Sequence, residues 1–278
     1  MILRFERPRS VAEAAQLLAA GDWAVLAGGT DLYPAHVGRK LSRPVLDLSR
    51  VAGLRGIADS DSGWTIGATT TWSDVLRAPL PPLFDGLKAA AREIGGAQIQ
   101  NAGTVAGNVC NASPAADGIP ALLAMDAEVE LRSALGTRRL AIADFVLGSR
   151  RTARLGSELV VALHIPARSP RARSVFLKLG GRRYLVISIT MVAVTIDVDA
   201  AGRVTSTGVA VGSCSAAAQR LAALESRLAG VERARLADVV DAADLAPLAP
   251  IDDVRGGAAY RTDATLTLLR RALAAFAT

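Results

Sequence analysis

Two glycine-rich segments hold the residues best suited to chemistry. The first is Ala27-Gly28-Gly29-Thr30-Asp31-Leu32, directly after the buried-strand signal Ala24-Val-Leu26. Adjacent glycines let a backbone approach a ligand closely and take dihedrals closed to other residues. Successive N–H groups in such a turn form an anion-binding nest, which the N-terminus of a following helix would strengthen. Thr30 adds a hydroxyl donor. The segment is neither a phosphate loop ending in Gly-Lys-Ser/Thr nor the G-x-G-x-x-G dinucleotide fingerprint. A plain strand–turn–helix would use the same residues.

The second segment runs from Gly95 through Gly96, Gln98, Asn101, Gly103-Thr104-Val105-Ala106-Gly107-Asn108, Asn111 and Ser113-Pro114 to Asp117. It is built from Gly, Asn, Gln, Ser and Thr with almost no charge. A solvated loop would use Lys, Glu and Asp. Small neutral donors suit a backbone wrapped around a polar ligand, although a ladder of Asn and Thr caps in a structural loop has the same composition. Two separate donor-rich loops fit two linked phosphates, as in a dinucleotide such as FAD, whose charge neutral N–H donors can satisfy. Asp117 is placed to accept from ribityl or ribose hydroxyls, or to N-cap the apolar helix expected from Ile119.

Composition excludes other chemistries. Two cysteines, Cys110 and Cys214, and two histidines, His36 and His164, are too few for a tetrahedral zinc site or a four-cysteine iron–sulfur cluster. Both cysteines read as small buried side chains in a reducing compartment. The net charge of +6 is scattered, and the few aromatics do not interleave with it; nucleic-acid binding needs a basic groove with stacking rings. No Ser–His–Asp or Cys–His arrangement stands out, so no catalytic residue and no metal ligand are assigned. The opening residues Met1–Pro8 carry no apolar run of signal-peptide length, and Leu185–Ile196 is too short and too β-branched to span a bilayer. No membrane span and a cytoplasmic location are therefore expected.

The elements that must position these loops follow from local signals. Ser10 to Glu13 is a capping box, followed by an apolar helical face. Strands are expected at Ala24–Leu26, Val45–Leu48, Leu54–Ile57 and Trp64–Ala68, a helix start at Thr71–Asp74, and a helix at Leu83–Ile94 ended by Gly95-Gly96. A polar loop then leads to helix Ile119–Met125 and strands Ala127–Arg132 and Leu159–Pro166. Residues 168–173 read as a linker. Beyond it come strands Val175–Leu179, Ile187–Asp197 and Val204–Val211, with a hairpin turn at Asp199–Gly202. Helices are expected near Ala218–Leu228, Leu236–Asp244 and Thr262–Phe276. Strands followed by helices make this an α+β chain.

In these motifs the chain resembles the FAD-binding medium subunit of the xanthine dehydrogenase and carbon monoxide dehydrogenase family. The first loop is similar to that family's Ala-Gly-Gly-Thr/Gln pyrophosphate loop, and the second to its Arg-Asn-x-Gly-Thr-x-Gly-Gly-Asn…Ser-Pro-x-x-Asp motif. The resemblance extends through Glu158–Pro166 and Phe176–Arg183. It implies that Ala27 to Leu32 (with Gly28, Gly29, Thr30 and Asp31) and Thr104 to Asn108 (with Val105, Ala106 and Gly107) hold the pyrophosphate. It further implies that Gly95 and Gly103 give close backbone access and that Asp117 binds cofactor hydroxyls. Val160 would offer backbone contacts near the flavin ring, and Lys178, one of three lysines, would sit near the ring or its ribityl end. An outward-pointing strand lysine is the competing reading. Gln100 and Ala106 depart from the family's arginine and first glycine. The run Tyr184-Leu-Val-Ile-Ser188 departs from an acidic residue before Ile-Ala, and Tyr184 is open between a ring contact and an interface.

The resemblance implies a two-part FAD fold of the vanillyl-alcohol-oxidase type over residues 1–168, split near 53. A C-terminal domain with a three-stranded antiparallel sheet and helices would occupy 173–278. It also implies a heteromeric molybdenum hydroxylase. A large subunit would carry the molybdenum cofactor, a small one the [2Fe–2S] clusters, and this chain would pass electrons from FAD to NAD+, a quinone, oxygen or another external acceptor. The alternatives are a self-contained FAD-dependent oxidoreductase acting directly on a small substrate, and a flavin-free assembly subunit.

Overall fold

Capping chemistry opens the first layer. After strand β1 (Phe5–Glu6), the Ser10 hydroxyl accepts the Glu13 N–H, and Glu13 reaches back to the N–H of Arg9, one residue before the expected partner; helix α1 (Val11–Ala20) follows. The computed structural model describes residues 4–277, so the first three residues of the N-terminal segment and the last residue lie outside it. Strands β2 (Ala24–Leu26) and β3 (Val45–Asp47) join β1 in a parallel sheet of order β1-β3-β2. Leu18, Trp23, Leu46 and Leu54 fill the space around it. The α-helix expected after the first glycine loop does not form. A turn and one 3-10 turn, Pro34–His36, stand there instead. Gly38 is left-handed at φ 71°, and the polar stretch around it has no apolar face to pack.

The second layer begins with β4 (Ile57–Ser60) and β5 (Gly63–Gly67). Leu54, expected in a strand, is instead buried under α1, and its carbonyl accepts from the N–H of Thr69. Helices α2 (Trp72–Arg77), α3 (Asp85–Glu93), α4 (Ala97–Ala102), α5 (Val105–Asn111) and α6 (Gly118–Ala124) follow. A Thr71/Asp74 capping box starts α2. The segment expected as a long polar loop is thus largely helical. Thr104 caps α5 by accepting from the N–H of Gly107, and Val105 and Val109 anchor that helix in the core. Then come β6 (Glu128–Ser133), β7 (Gly136–Ala141), α7 (Ile142–Phe145), the short pair β8 (Val146–Gly148) and β9 (Arg151–Thr152), and β10 (Leu159–Pro166). Five strands form an antiparallel sheet, β4-β5-β10-β6-β7. Ile66, Leu163 and Leu131 on that sheet pack with Trp72, Leu87 and Leu122 from the helices.

Residues 168–173 form a tied crossing rather than a loose linker. Arg168 is paired with Asp126 and donates to the Ser206 hydroxyl, Ser169 is bonded to Asp197, and Ala172 is buried. Strands β11 (Arg173–Leu179), β12 (Thr190–Val198), β13 (Val204–Gly212) and β14 (Gln219–Arg220) follow. They form a four-stranded antiparallel sheet, not the three-stranded one expected. The added strand occupies the first residues of what reads as a helix from Ala218. Gln219 and Arg220 pair with Val211 and Ala210, and α8 (Ala222–Leu228) starts only after them. Arg220 holds the turn, bridging Asp126 and Glu225. The Asp199–Gly202 hairpin turn forms as its residues require, with Gly202 at φ 74° and Asp199 accepting from two backbone N–H groups. The segment expected as helix Leu236–Asp244 consists of two 3-10 turns, Arg233–Val239 and Ala242–Leu245. An Asp241/Asp244 capping box restarts the chain there. Helix α9 (Ala258–Ala274) closes the chain.

β12 explains how the halves join. Its side chains alternate faces, as any strand's do. Met191 and Ala193 pack into the core shared with α6, whereas Val192, Val194 and Ile196 pack with α8 and α9. Both faces are buried, and the strand carries the apolar run Met191–Val194 with Thr190, Thr195 and Asp197 also buried. α6 lies so close to β13 that a Cβ on Gly208 would sit 2.1 Å from the carbonyl oxygen of Ala124. Gly208→Ala should therefore force α6 off the sheet and lower stability by about 1–3 kcal/mol, read as a reduced urea midpoint; an unchanged midpoint would contradict this packing.

Candidate functional site

The two glycine-rich segments meet backbone to backbone. A Cβ on Gly28 would lie 1.9 Å from the carbonyl oxygen of Ala102 and 3.0 Å from the Cα of Gly103. No side chain fits between them. From the other side, a Cβ on Gly103 would come within 3.3 Å of the Thr30 hydroxyl. Gly29 takes φ 72°, with the Tyr33 ring against it. None of the turn and loop hydrogen bonds among the described residues uses the N–H of Gly28, Gly29, Thr30 or Asp31 as donor. These four donors lie in a half-buried turn that ends at exposed Asp31, without the helix dipole expected behind it.

Helix α5 supplies the opposite wall. Val105 donates its N–H to Thr70, Gly107 to the Thr104 hydroxyl and Asn108 to the Thr104 carbonyl. The Ala106 N–H is used by no turn, loop or side-chain hydrogen bond among the described residues. Ala106 is absent from the positive-φ residues, so its backbone conformation does not call for glycine. The side chains of Val105 and Ala106 are buried in the core, which leaves their backbones as the only groups able to meet a ligand. Asn108 Oδ1 is buried with no hydrogen-bond partner. A buried polar atom left without a partner is costly, and this one borders Gly118, where a Cβ would sit 2.9 Å from it.

Gly118 begins α6, and Asp117 precedes it. Asp117 does not cap that helix. Its Oδ2 accepts from Lys178 Nζ at 2.7 Å and its Oδ1 from the Ser188 hydroxyl at 2.5 Å. The side chains of Asp117 and Lys178 are 7% and 6% exposed, so the pair is buried, and Lys178 is not an outward-pointing strand lysine. Burial pushes the Asp117 carboxyl above its ordinary range, with Glu93 adding to the push, while Lys178 and Ser188 pull it back.

The structure thus links Gly28, Gly29, Thr30, Gly103, Thr104 to Asn108, Asp117 and Lys178 in one chain of neighbouring contacts. Asp31 joins it through Asn111, whose Nδ2 donates to Asp31 Oδ1 at 2.9 Å. Gly95 takes φ 58° beneath the Ile99 side chain of α4. Ala27 and Leu32 flank the first turn; the Leu32 carbonyl is engaged by His36 Nδ1. Val160 stands apart. It is buried in β10, beside a bulge between Val160 and Ala162, and reaches the site only through the core it shares with α5. Gln100 caps the end of α3 by donating to the carbonyls of Arg92 and Gly95.

Two residues were missed by the sequence reading. Arg150, left-handed at φ 54° in the β8–β9 turn, donates its N–H to Ala112 and its Nη1 to Asn111 Oδ1, fixing the amide that holds Asp31. Ser188 registers in the sequence only as a departure from the family pattern. The loop 180–187 carries exposed Tyr184, Leu185 and Ile187. Tyr184 lies under the Arg183 guanidinium, and Leu185 is beside Gly96. Cys214 is buried as expected, but Cys110 is exposed on the outer face of α5. His164 bridges Thr65 and Glu130 across the sheet, in a structural role.

The strand that carries Val160 is anchored by Glu158. Arg138 makes a two-pronged contact with its carboxylate, through Nε at 2.6 Å and Nη2 at 2.8 Å. That contact holds the carboxyl below its ordinary range against the opposing effect of burial, helped by the Leu155 N–H. A depressed folded-state value means the contribution is full above the ordinary glutamate range and is lost as pH falls through the folded value. Arg138→Met should therefore move the acid-unfolding midpoint to higher pH, followed by circular dichroism. Superimposable acid titrations would argue against the anchor.

Residues 2–168 match the family model described as the FAD binding domain in molybdopterin dehydrogenase, and residues 176–276 match the CO dehydrogenase flavoprotein C-terminal domain. The nicotinate dehydrogenase FAD-subunit of Eubacterium barkeri is 33% identical over 185 residues, which cover 64% of this chain and 62% of that protein. The first curated relatives are thus matched over less than two thirds of their own length. The 6-hydroxypseudooxynicotine dehydrogenase complex subunit alpha of Paenarthrobacter nicotinovorans is 32% identical over 277 residues, covering 95% of this chain and 91% of that one. Among solved structures, a chain of carbon monoxide dehydrogenase from Hydrogenophaga pseudoflava superposes with a TM-score of 0.86 at 28% identity, over 98% of this chain and 97% of that chain. With a mixed helix-and-sheet N-terminal domain carrying the two converging glycine loops and a C-terminal domain closing over Asp117, the chain belongs to the FAD-binding family of the molybdopterin dehydrogenases.

Proposed function

We propose that this chain binds FAD between its two glycine-rich turns and serves as the electron-exit subunit of a heteromeric molybdenum hydroxylase. The observation that carries this reading is the contact of Gly28 with Ala102 and Gly103, which sets the unused N–H donors of 28–31 beside the start of α5. The donor set fits a diphosphate: neutral backbone N–H groups and the Thr30 hydroxyl. Residues Ala27 to Leu32, Gly103 and Thr104 to Asn108 would hold the pyrophosphate. Gly95 would admit the backbone closely, Asp117 would accept from cofactor hydroxyls, and Val160 and Lys178 would flank the ring end. The N-terminal fold is read as the two-part vanillyl-alcohol-oxidase type over 1–168, divided near 53, with 173–278 as the second domain.

Bound FAD supplies the redox chemistry; the protein positions and tunes it. What this chain's own residues do is hold a dianionic group on neutral donors and keep a buried carboxylate–ammonium pair against the ring side. No group of three His, Cys, Asp or Glu among the described residues is arranged to hold a metal. The molybdenum cofactor and the [2Fe–2S] clusters are assigned to partner subunits, from which electrons arrive and pass to an external acceptor such as NAD+, a quinone or oxygen. No helix among the described residues is long and apolar enough to cross a membrane, and a cytoplasmic location is part of the proposal.

The purified chain should take up FAD and show visible flavin absorbance. Gly28→Ala, which wedges the two turns apart, should weaken FAD binding by about a hundredfold, close to 3 kcal/mol, while far-ultraviolet circular dichroism stays native. A chain that stays colourless with excess FAD would defeat the reading. Turnover of an organic substrate by the isolated chain would replace it with a self-contained oxidoreductase.

A further inference from the structure

Ser188 sits in the connection between β11 and β12, next to the point where the Ile189 N–H meets the Leu179 carbonyl and pairing begins. It is 2% exposed. A hydroxyl buried to that degree is unfavourable unless it is hydrogen-bonded, and its bond goes to Asp117 Oδ1 at 2.5 Å. Lys178 takes the other oxygen at 2.7 Å. A lysine ammonium is a point charge on a flexible stem and fixes no plane. Two donors on opposite oxygens do fix the carboxylate's rotation about its Cβ–Cγ bond. Ser188 and Lys178 both come from the C-terminal domain, whereas Asp117 belongs to the N-terminal one.

We propose that Ser188 is the positioning residue of this site: its hydroxyl locks the Asp117 carboxyl group in one rotamer and leaves the remaining lone pairs free for the hydroxyls of the bound cofactor. The inference rests on the reading of Asp117 as a hydroxyl acceptor for FAD. The groups facing Asp117 are Lys178 from β11, Glu93 from α3 and Ser188 itself. Burial and Glu93 oppose its ionisation, and Lys178 and Ser188 favour it. A hydrogen bond to the charged form lowers a carboxyl pKa. Taking the hydroxyl away leaves Lys178 alone against burial and Glu93, so the carboxyl should protonate at higher pH.

The test uses the full-length chain labelled with 13C at the aspartate carboxyls and titrated by NMR without FAD, the Asp117 signal being assigned by its loss in Asp117→Asn. Ser188→Ala should move the Asp117 midpoint up by about one pH unit, and Ser188→Thr, which keeps the hydroxyl, should restore it. In parallel FAD titrations, Ser188→Ala should weaken binding roughly tenfold and should add no further loss in the Asp117→Asn background. An unmoved Asp117 titration in Ser188→Ala, or an equal loss of FAD affinity in the Asp117→Asn background, overturns the assignment. If the unmutated chain takes no FAD at any pH, the proposed function falls, while the carboxyl titration still decides the role of Ser188.

Discussion

Gly28 meets Ala102 and Gly103 backbone to backbone, and the rest of the site is arranged around that contact. Glycine at position 28 is required because its neighbour is a carbonyl oxygen, which cannot swing aside as a side chain can. The parallel strands β1, β3 and β2 deliver the first turn to this place. The capping of α2 by Thr71 and of α5 by Thr104 delivers the second, because Thr70 and Trp72 bond to the backbone on either side of Thr104. Two separately stabilised layers are thereby joined at a seam lined with amide hydrogens rather than side chains. Such a seam suits a negatively charged group that must be held without a resident cation.

The far end of the site is organised differently. There the C-terminal sheet reaches over and places Lys178 and Ser188 on Asp117. A buried ion pair has a desolvation cost that its Coulomb attraction offsets only with good geometry and further hydrogen bonds. Ser188 provides one such bond. The arrangement is therefore better understood as fixing a geometry than as adding stability.

Much of this was legible in the sequence where local chemistry is decisive. β10 begins and ends at Leu159 and Pro166 as its apolar pattern requires, the Asp199–Gly202 turn forms, and the order of the glycine, threonine, asparagine and aspartate positions identified the loops that converge. The misreadings share a physical cause. Helix α5 shows only the Val105/Val109 spacing among small polar residues and forms because Thr104 caps it and those two valines are buried. β14 is two residues long and exists through pairing with β13. The Asp117–Lys178 pair spans 61 positions in the chain, and Arg150 acts from a left-handed turn; neither leaves a mark in local composition.

The sharing of β12 between two cores has a further consequence. Met191 and Ala193 belong to one hydrophobic cluster and Val192 and Val194 to the other, so the sheet cannot shift without disturbing both. Lys178 and Ser188 flank the two ends of the same β11–β12 connection. A partner that gripped the C-terminal sheet would therefore bear on the same strands that carry Lys178 and lead to Ser188. By thermodynamic reciprocity, any coupling between such a grip and a cofactor at Asp117 would act equally in both directions.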